Sequence, residues 1–254
     1  MRAVKVREVV IGEGMPKICV PIVEKNDKAI VSTLKQVVLQ KPDMVEFRAD
    51  VYEHLKDRDS LLKVLETIRK LLGNLVLLFT IRTDNEGGNV SLGVEEYEAI
   101  CKCACESGYI DLVDVEAFIQ NGVLEKLCNI AHDNGVYVVG SNHDFEKTPD
   151  KEEIVRRLNE IRDRGADIAK IAVMPNCEED VISLLAATLR TSKEADAGPV
   201  ITMSMGKTGQ ISRISGEIFG SAVTFATVGN ESAPGQISID KVKKVIEILH
   251  IASL

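Results

Sequence analysis

The chain has no tryptophan, and aromatic residues make up only 4% of its 254 positions. Its core must therefore be built from aliphatic side chains, which an apolar fraction of 45% supplies. Basic residues are in deficit: 31 lysines and arginines stand against 39 aspartates and glutamates, a net charge of −8. That balance argues against nonspecific nucleic-acid binding, which needs basic patches, but leaves room for a local basic pocket around a small anion. No stretch of about eighteen apolar residues occurs, so no membrane span is expected. The opening MRAVKVREVV alternates apolar and charged residues and has no uninterrupted apolar core, so it reads as part of the fold rather than as a signal peptide. Six cysteines in a chain of this length do not make a disulfide scaffold; they read as reduced thiols of a cytoplasmic protein.

Two further absences narrow the chemistry. The segment MGKTG (205–209) lacks the glycine that a phosphate-binding P-loop needs five residues before Gly206; Ile201 stands there, which removes that basis for nucleotide binding. The run CKCAC lies in the helical stretch GVEEYEAICKCACESG. Helical spacing puts Cys101 and Cys105 on one face and turns Cys103 away, so the three cannot converge on one tetrahedral metal, and packing is the expected role.

What the chain does have is alternation. Eight short apolar runs read as strands: 18–23, 44–50, 75–82, 109–116, 137–144, 168–174, 200–206 and 222–228. Amphipathic helical patterns separate them. DKAIVSTLKQVVLQ carries Ile30, Val31, Leu34, Val37 and Val38 at i, i+3, i+4 spacing. SLLKVLETIRKLLG starts at a capping serine, Ser60, and stops at Gly73; DKEEIVRRLNEIRDRG opens on Asp150 and Glu153, in the manner of a capping box. The stretch SRISGEIFGSA is the least regular and is expected to hold a short helix. Eight strand–helix units imply a (β/α)8 TIM barrel formed by a single domain, 1–254. An open doubly wound sheet is the rival, but its glycine-rich first turn is missing: the first turn here is VEKNDKA. The alternating VKVREVVIGEG before the first barrel strand is expected to form an N-terminal β-hairpin closing one end.

In such a barrel the chemistry sits where strands end, and charged residues recur there. They are Glu46 and Arg48 on the second strand, Arg82 with Glu86 just beyond the third, Asp114 and Glu116 on the fourth, His143 and Asp144 on the fifth, and Lys170 on the sixth. Taken singly, each also reads as ordinary structure: an ion pair, a histidine satisfied in a turn, a lysine snorkelling to the barrel mouth. Taken together they would cost several kcal/mol per unpaired buried ion, so mutual pairing and a polar ligand are expected to compensate.

Strand alternation aims the lysine. Ile168, Lys170, Ala172 and Met174 share one face, and the Ala169, Ile171, Val173 face suits packing against helices, so Lys170 points into the barrel. There desolvation and nearby arginines are expected to lower its pKa and make it a nucleophile toward a ketone carbon. The product would be a Schiff base whose protonated form acidifies the adjacent C–H, with His143 of the neighbouring strand as proton shuttle. The loop VGNESAPGQ (228–236) reads either as plain surface or as a closing loop whose Ser232 and Gln236 hydrogen-bond an oxygen-rich ligand. This reading reaches an imine-forming barrel for a small anionic polyol ketone and leaves dehydration and aldol cleavage both open.

Glu46–Phe47–Arg48, RT…EGG at 82–88, SNHDF at 141–145, Lys170, GKTGQISR at 206–213 and SAPGQ at 232–236 together resemble the type I 3-dehydroquinate dehydratase family, from about residue 17 onward. The resemblance implies dehydration of 3-dehydroquinate to 3-dehydroshikimate in the shikimate pathway, without metal or cofactor, by a homodimeric enzyme. It implies that Lys170 forms the imine, that His143 moves the protons and that Glu86 orients His143. Arg213 would clamp the substrate carboxylate. Glu46, Arg48, Arg82, Ser232 and Gln236 would bind hydroxyls and carboxylate, and Met203, Met205 and Phe225 would form apolar walls.

Overall fold

The computed structural model describes residues 2–120, 122–229 and 233–252. The chain opens with β1 (Val4–Val6) and β2 (Val9–Ile11), an antiparallel hairpin pairing Val4 with Ile11. Then follow β3 (Lys17–Ile22), α1 (Asp27–Leu39), β4 (Met44–Arg48), α2 (Arg58–Leu72), β5 (Val76–Thr80) and α3 (Val94–Glu106). Next come β6 (Leu112–Glu116), α4 (Val123–Asp133), β7 (Tyr137–Asp144), α5 (Lys151–Asp163), β8 (Ile168–Val173) and α6 (Glu178–Ser192). The last units are β9 (Val200–Ser204), α7 (Gln210–Ile214), α8 (Gly216–Phe219), β10 (Val223–Thr227), a two-residue β11 (Ile237–Ser238) and α9 (Ile239–Ala252).

Strands β3 to β10 are the eight that the sequence marks; β7 keeps the expected bounds, and the others differ at one or both ends by one to a few residues. They run parallel in chain order, and β10 returns to pair with β3. The ring closes between β9 and β10 through a bridge from Val200 to Ser221, where Ala222 N donates to Val200 O at 2.8 Å and Thr202 N to Ser221 Oγ at 3.0 Å. This is a (β/α)8 barrel. The irregular stretch holds two short helices, α7 and α8, rather than one, and the sequence pattern does not announce β11.

Period-two alternation sorts the strand residues into two cores. Ala169, Ile171 and Val173 of β8 pack outward, in one cluster with the helix residues Leu158, Ile161 and Leu184. Ile168 and Ala172 of the same strand join an interior cluster with Met44, Val76, Leu112 and Val139. Val4, Val6 and Ile11 of the hairpin belong to that interior cluster, against residues at the strands' N-terminal ends, so the hairpin plugs the lower mouth. Its turn is held by Arg7, whose Nε donates to Asp111 Oδ1 at 2.7 Å, while Arg69 of α2 grips Oδ2 of the same carboxylate at 2.6 Å.

The helix starts follow capping chemistry, with one correction. Asp150 caps α5 as expected, accepting from Glu153 N at 2.9 Å. In α2 the cap is Asp57, not Ser60; Ser60 is the third helical residue, whose backbone N–H the Asp57 side chain accepts at 2.8 Å. In α3, Cys101 and Cys105 are buried on one face and Cys103 is only half-buried, the division their spacing demands.

Candidate active site

The upper half of the barrel interior is set by register. Along β4, Met44 is followed inward by Glu46 and Arg48; along β6, Leu112 by Asp114 and Glu116; along β7, Val139 by Ser141 and His143; along β8, Ile168 by Lys170 and Ala172. Each strand thus changes from apolar to polar at its second inward position. Ser141 lies beside Lys170, and His143 beside Ala172, one layer higher. A lysine side chain reaching up and an imidazole from the adjacent strand therefore serve the same space.

Lys170 is 3% exposed, and its Nζ donates to Asp114 Oδ2 at 3.0 Å. The ring of Phe225 lies on another side, its centroid 4.7 Å from Nζ. The inward aim follows the sequence pattern. The surroundings differ from the expected cluster of arginines, because the charged group in contact with the amine is a carboxylate.

Arg82, just past β5, explains the difference. Its Nη2 donates to Asp114 Oδ1 at 2.6 Å, and its Nη1 reaches Glu116 Oε1 at 3.1 Å, Ser141 Oγ at 3.1 Å and Glu86 Oε2 at 3.3 Å. Burial alone would oppose ionisation of Asp114, but Arg82, then Lys170, outweigh it and hold the carboxyl well below the usual carboxylate range. Glu116 is satisfied further by Thr83, whose N–H and hydroxyl donate at 2.8 and 2.7 Å.

Glu86 faces His143. Its Oε2 meets the ring Nδ1 at 2.8 Å and accepts the His143 backbone N–H at 3.0 Å, while Oε1 accepts from Asn142 Nδ2 at 3.0 Å. Burial drives the imidazole pKa well below its ordinary value, with Arg82 and Lys170 adding to the fall. Burial likewise raises Glu86 to about 7, against the opposing pull of Arg82. While Glu86 is ionised it can only accept, so the proton lies on Nδ1 and Nε2 keeps its lone pair. The EGG motif makes this turn possible: Gly87 has φ +77°, and a Cβ on Gly88 would run into the carbonyl of Arg82.

A cavity of about 310 Å³ opens above these groups, lined by Glu46, Arg48, Thr80, Arg82, His143, Lys170, Met203, Met205, Phe225 and Gln236, with Asn89, Phe145 and Pro234 toward the rim. Known proteins share the fold and much of the sequence. The family model of type I 3-dehydroquinase matches residues 18–253. The chain is 45% identical to the 3-dehydroquinate dehydratase of Bacillus subtilis over 98% of both chains. It superposes on the type I 3-dehydroquinate dehydratase of Clostridium difficile with a TM-score of 0.96 at 44% identity, covering 99% of each. The Geobacillus kaustophilus 3-dehydroquinate dehydratase gives the same TM-score at 40% identity, over 100% of this chain and 98% of that one.

This chain belongs to the type I 3-dehydroquinase family.

Membership makes it a lyase acting on 3-dehydroquinate in the shikimate pathway, which serves aromatic amino-acid biosynthesis. Most of the residues that the resemblance points to line the cavity, but they are held differently. Arg48 binds Asp50 through two bonds, at 2.8 and 2.9 Å, and Asn89 donates to the same carboxylate at 3.1 Å. Glu46 Oε1 accepts from the Thr80 hydroxyl at 2.9 Å. Arg82 touches the cavity, yet its two Nη atoms already serve three carboxylates and a serine. Arg213 stands behind the wall: Nη2 donates to Pro234 O at 2.9 Å, and Nη1 lies 3.9 Å from the sulfur of Met203. Ser232 lies outside the described residues.

The rest of the 228–236 loop meets the turn after β9. Gly206 N donates to Pro234 O at 3.1 Å, and Gly235, at φ +76°, approaches the Gly206 carbonyl too closely for any Cβ. The MGKTG turn is therefore a seat for the loop. Sequence reasoning does not single out Thr80, Asn89 or Phe145 as site residues. Asp114 was visible as a charge at a strand end, but its role needs the register of three strands.

Proposed function

We propose that this chain converts 3-dehydroquinate to 3-dehydroshikimate by syn elimination of water through a Schiff base on Lys170, with His143 as general acid–base. The observation that carries this reading is a lysine nitrogen buried inside the barrel, within one cavity with a neutral imidazole whose second nitrogen is free to take a proton.

The steps balance. Lys170 Nζ, once deprotonated, adds to the C3 ketone, and loss of the carbonyl oxygen as water leaves an iminium. The positive nitrogen withdraws electrons and acidifies C2, from which His143 Nε2 removes a proton to give an enamine. His143 then delivers that proton to the C1 hydroxyl, which departs as water while the enamine electrons form the C1–C2 double bond. Hydrolysis of the iminium frees the product and the lysine. Glu86, bonded to Nδ1, stabilises the imidazolium that exists between the two transfers. The iminium is the electron sink, so the chemistry calls for no metal or cofactor.

The other side chains follow. Glu46, Arg48, Arg82, Ser232 and Gln236 meet the polar edge of the substrate, Met203, Met205 and Phe225 its carbon skeleton, and Arg213 its carboxylate once the loop bearing Pro234 adjusts. The C. difficile relative, whose structure carries covalently modified comenic acid, supports a covalent reading. The same reading takes 1–254 as one domain that works in the cytoplasm as a homodimer, with neither nucleic acid nor membrane as partner.

Borohydride added with 3-dehydroquinate tests it. A mass adduct mapped to Lys170, together with a near-ultraviolet-absorbing enone product, is expected. An aldolase would yield two smaller fragments, and a silent binding barrel would bind without an adduct; either result rejects the proposal.

A further inference from the structure

The Asp114 carboxylate is divided between two tasks. Oδ1 accepts from Arg82 Nη2 at 2.6 Å and from Ser141 Oγ at 2.7 Å, and Oδ2 accepts from Lys170 Nζ at 3.0 Å. The alternation of β6 and β8 places both side chains inside the barrel, with Ser141 of β7 between them. Across the nitrogen, the Phe225 ring presents its face at 4.7 Å, and the negative face of an aromatic ring also favours a cation. Two independent features therefore favour positive charge on one atom.

Resting on the Schiff-base reading, we propose that Asp114 is a further catalytic residue, the counter-ion of Lys170 Nζ in both its ammonium and its iminium form. The charge count shows why that position is useful. The resting ammonium gives one proton to His143 Nε2, and the neutral amine adds to the ketone carbon. The carbinolamine then loses its oxygen as water, taking the proton back from His143, and the nitrogen again carries one positive charge through its double bond to carbon. Asp114 thus faces a cation before addition and after dehydration, and a neutral nitrogen only between. The pairing opposes the free amine and favours the iminium, the species that acidifies C2. Slower addition is exchanged for a larger share of the cationic iminium.

The other charges around Nζ are engaged elsewhere. On β4, Glu46 serves Thr80 and Arg48 serves Asp50. Past β5, Arg82 and Glu86 bind each other, and Glu86 also binds His143 of β7. Glu116 of β6 is taken by Thr83 and Arg82. On β3 the Cys19 thiol is kept protonated, chiefly by burial. The register neighbours on β9 and the ring from β10 bring no charge: Ile201, Met203 and Phe225. Arg213 of α7 lies behind Met203. Among the described residues, Asp114 holds the carboxylate in hydrogen-bond contact with Nζ.

The test compares full-length wild type, Asp114→Asn and Asp114→Glu, reading kcat across pH and borohydride capture at Lys170 with 3-dehydroquinate. Without the anion both ammonium and iminium lose protons more readily. Asp114→Asn should therefore move both limbs of the kcat profile to lower pH by about one pH unit or more and lower its plateau about 10²-fold. Asp114→Glu should bring the limbs back. A merely structural role would lower the plateau with the limbs in place, and that result in folded Asp114→Asn overturns the proposal. Should Asp114→Asn fail to fold, Ser141→Ala, which keeps the carboxylate but removes a donor that shares its charge with Nζ, should shift the limbs the opposite way, to higher pH, and by less; unmoved limbs there overturn it. A wild type that gives no adduct at Lys170 brings down the Schiff-base reading and this proposal with it. A wild-type adduct with unmoved limbs in the variants brings down Asp114 alone.

Discussion

The same strands build two unlike halves of the barrel. Near the lower mouth the inward positions are Met44, Val76, Leu112, Val139 and Ile168, closed off by Val4, Val6 and Ile11 of the hairpin. One or two inward steps higher they become Glu46, Arg48, Asp114, Glu116, His143 and Lys170. Both halves are buried, but burial serves opposite ends. In the lower half it removes apolar surface from water and stabilises the fold. In the upper half it costs free energy at every ion, and Arg82 limits that cost by gathering Asp114, Glu116 and Glu86 around one guanidinium. The division sets up a contrast: substitutions in the lower layer should act on stability, and those in the upper layer on turnover.

The sharpest break comes at Lys170. Lys170→Ala is expected to reduce turnover to the uncatalysed rate, followed by enone absorbance, while calorimetry still detects binding of 3-dehydroquinate. His143→Ala should follow, with kcat lower by about 10²–10⁴-fold because proton transfer is lost, yet borohydride should still trap some imine. The lower half should answer in the other currency. Ile11 is fully buried, and Ile11→Ala should cost about 2–5 kcal/mol in denaturant unfolding while leaving kcat near that of the wild type. An equal loss of activity there would erase the contrast.

Glu86 sharpens the comparison from the upper side. Burial raises its pKa to about 7 from an ordinary value of 4.5. Folding therefore favours the protonated form, and the corresponding stability is present below about pH 4.5 and lost as pH climbs through 7, a swing of about 3 kcal/mol. His143 runs the opposite way: its depressed pKa gives stability that is present above about pH 6.5 and lost as pH falls. Glu86→Gln should accordingly raise the Tm at pH 8, lose that advantage near pH 4.5, and lower kcat by about 10–100-fold through a less well supported His143.

The barrel was legible because its signals are local. Apolar runs of strand length separated by amphipathic stripes require no partner to be recognised, and the alternation in IAKIAVM aimed Lys170 correctly. Element ends were less legible, since the Asp57 cap lies outside the apolar stripe from which the start of α2 was read. The electrostatics of the site were the least legible part. Lys170 and Asp114 are 56 residues apart and meet across an intervening strand, so nothing in either neighbourhood discloses the pair. Arg82 reads in sequence as a residue for the substrate; that it also binds carboxylates of the protein itself is visible only in the folded register.

The hairpin has a consequence for the Lys170 nitrogen, which lies far from it along the chain. With Val4, Val6 and Ile11 in place the barrel is a beaker with a stopper in its base. Drawn out, it would become an open pipe, and water rising from beneath would weaken the grip between amine and carboxylate by dielectric screening. A short ribbon at the very start of the chain thus keeps the opposite end dry enough for an ion pair to matter.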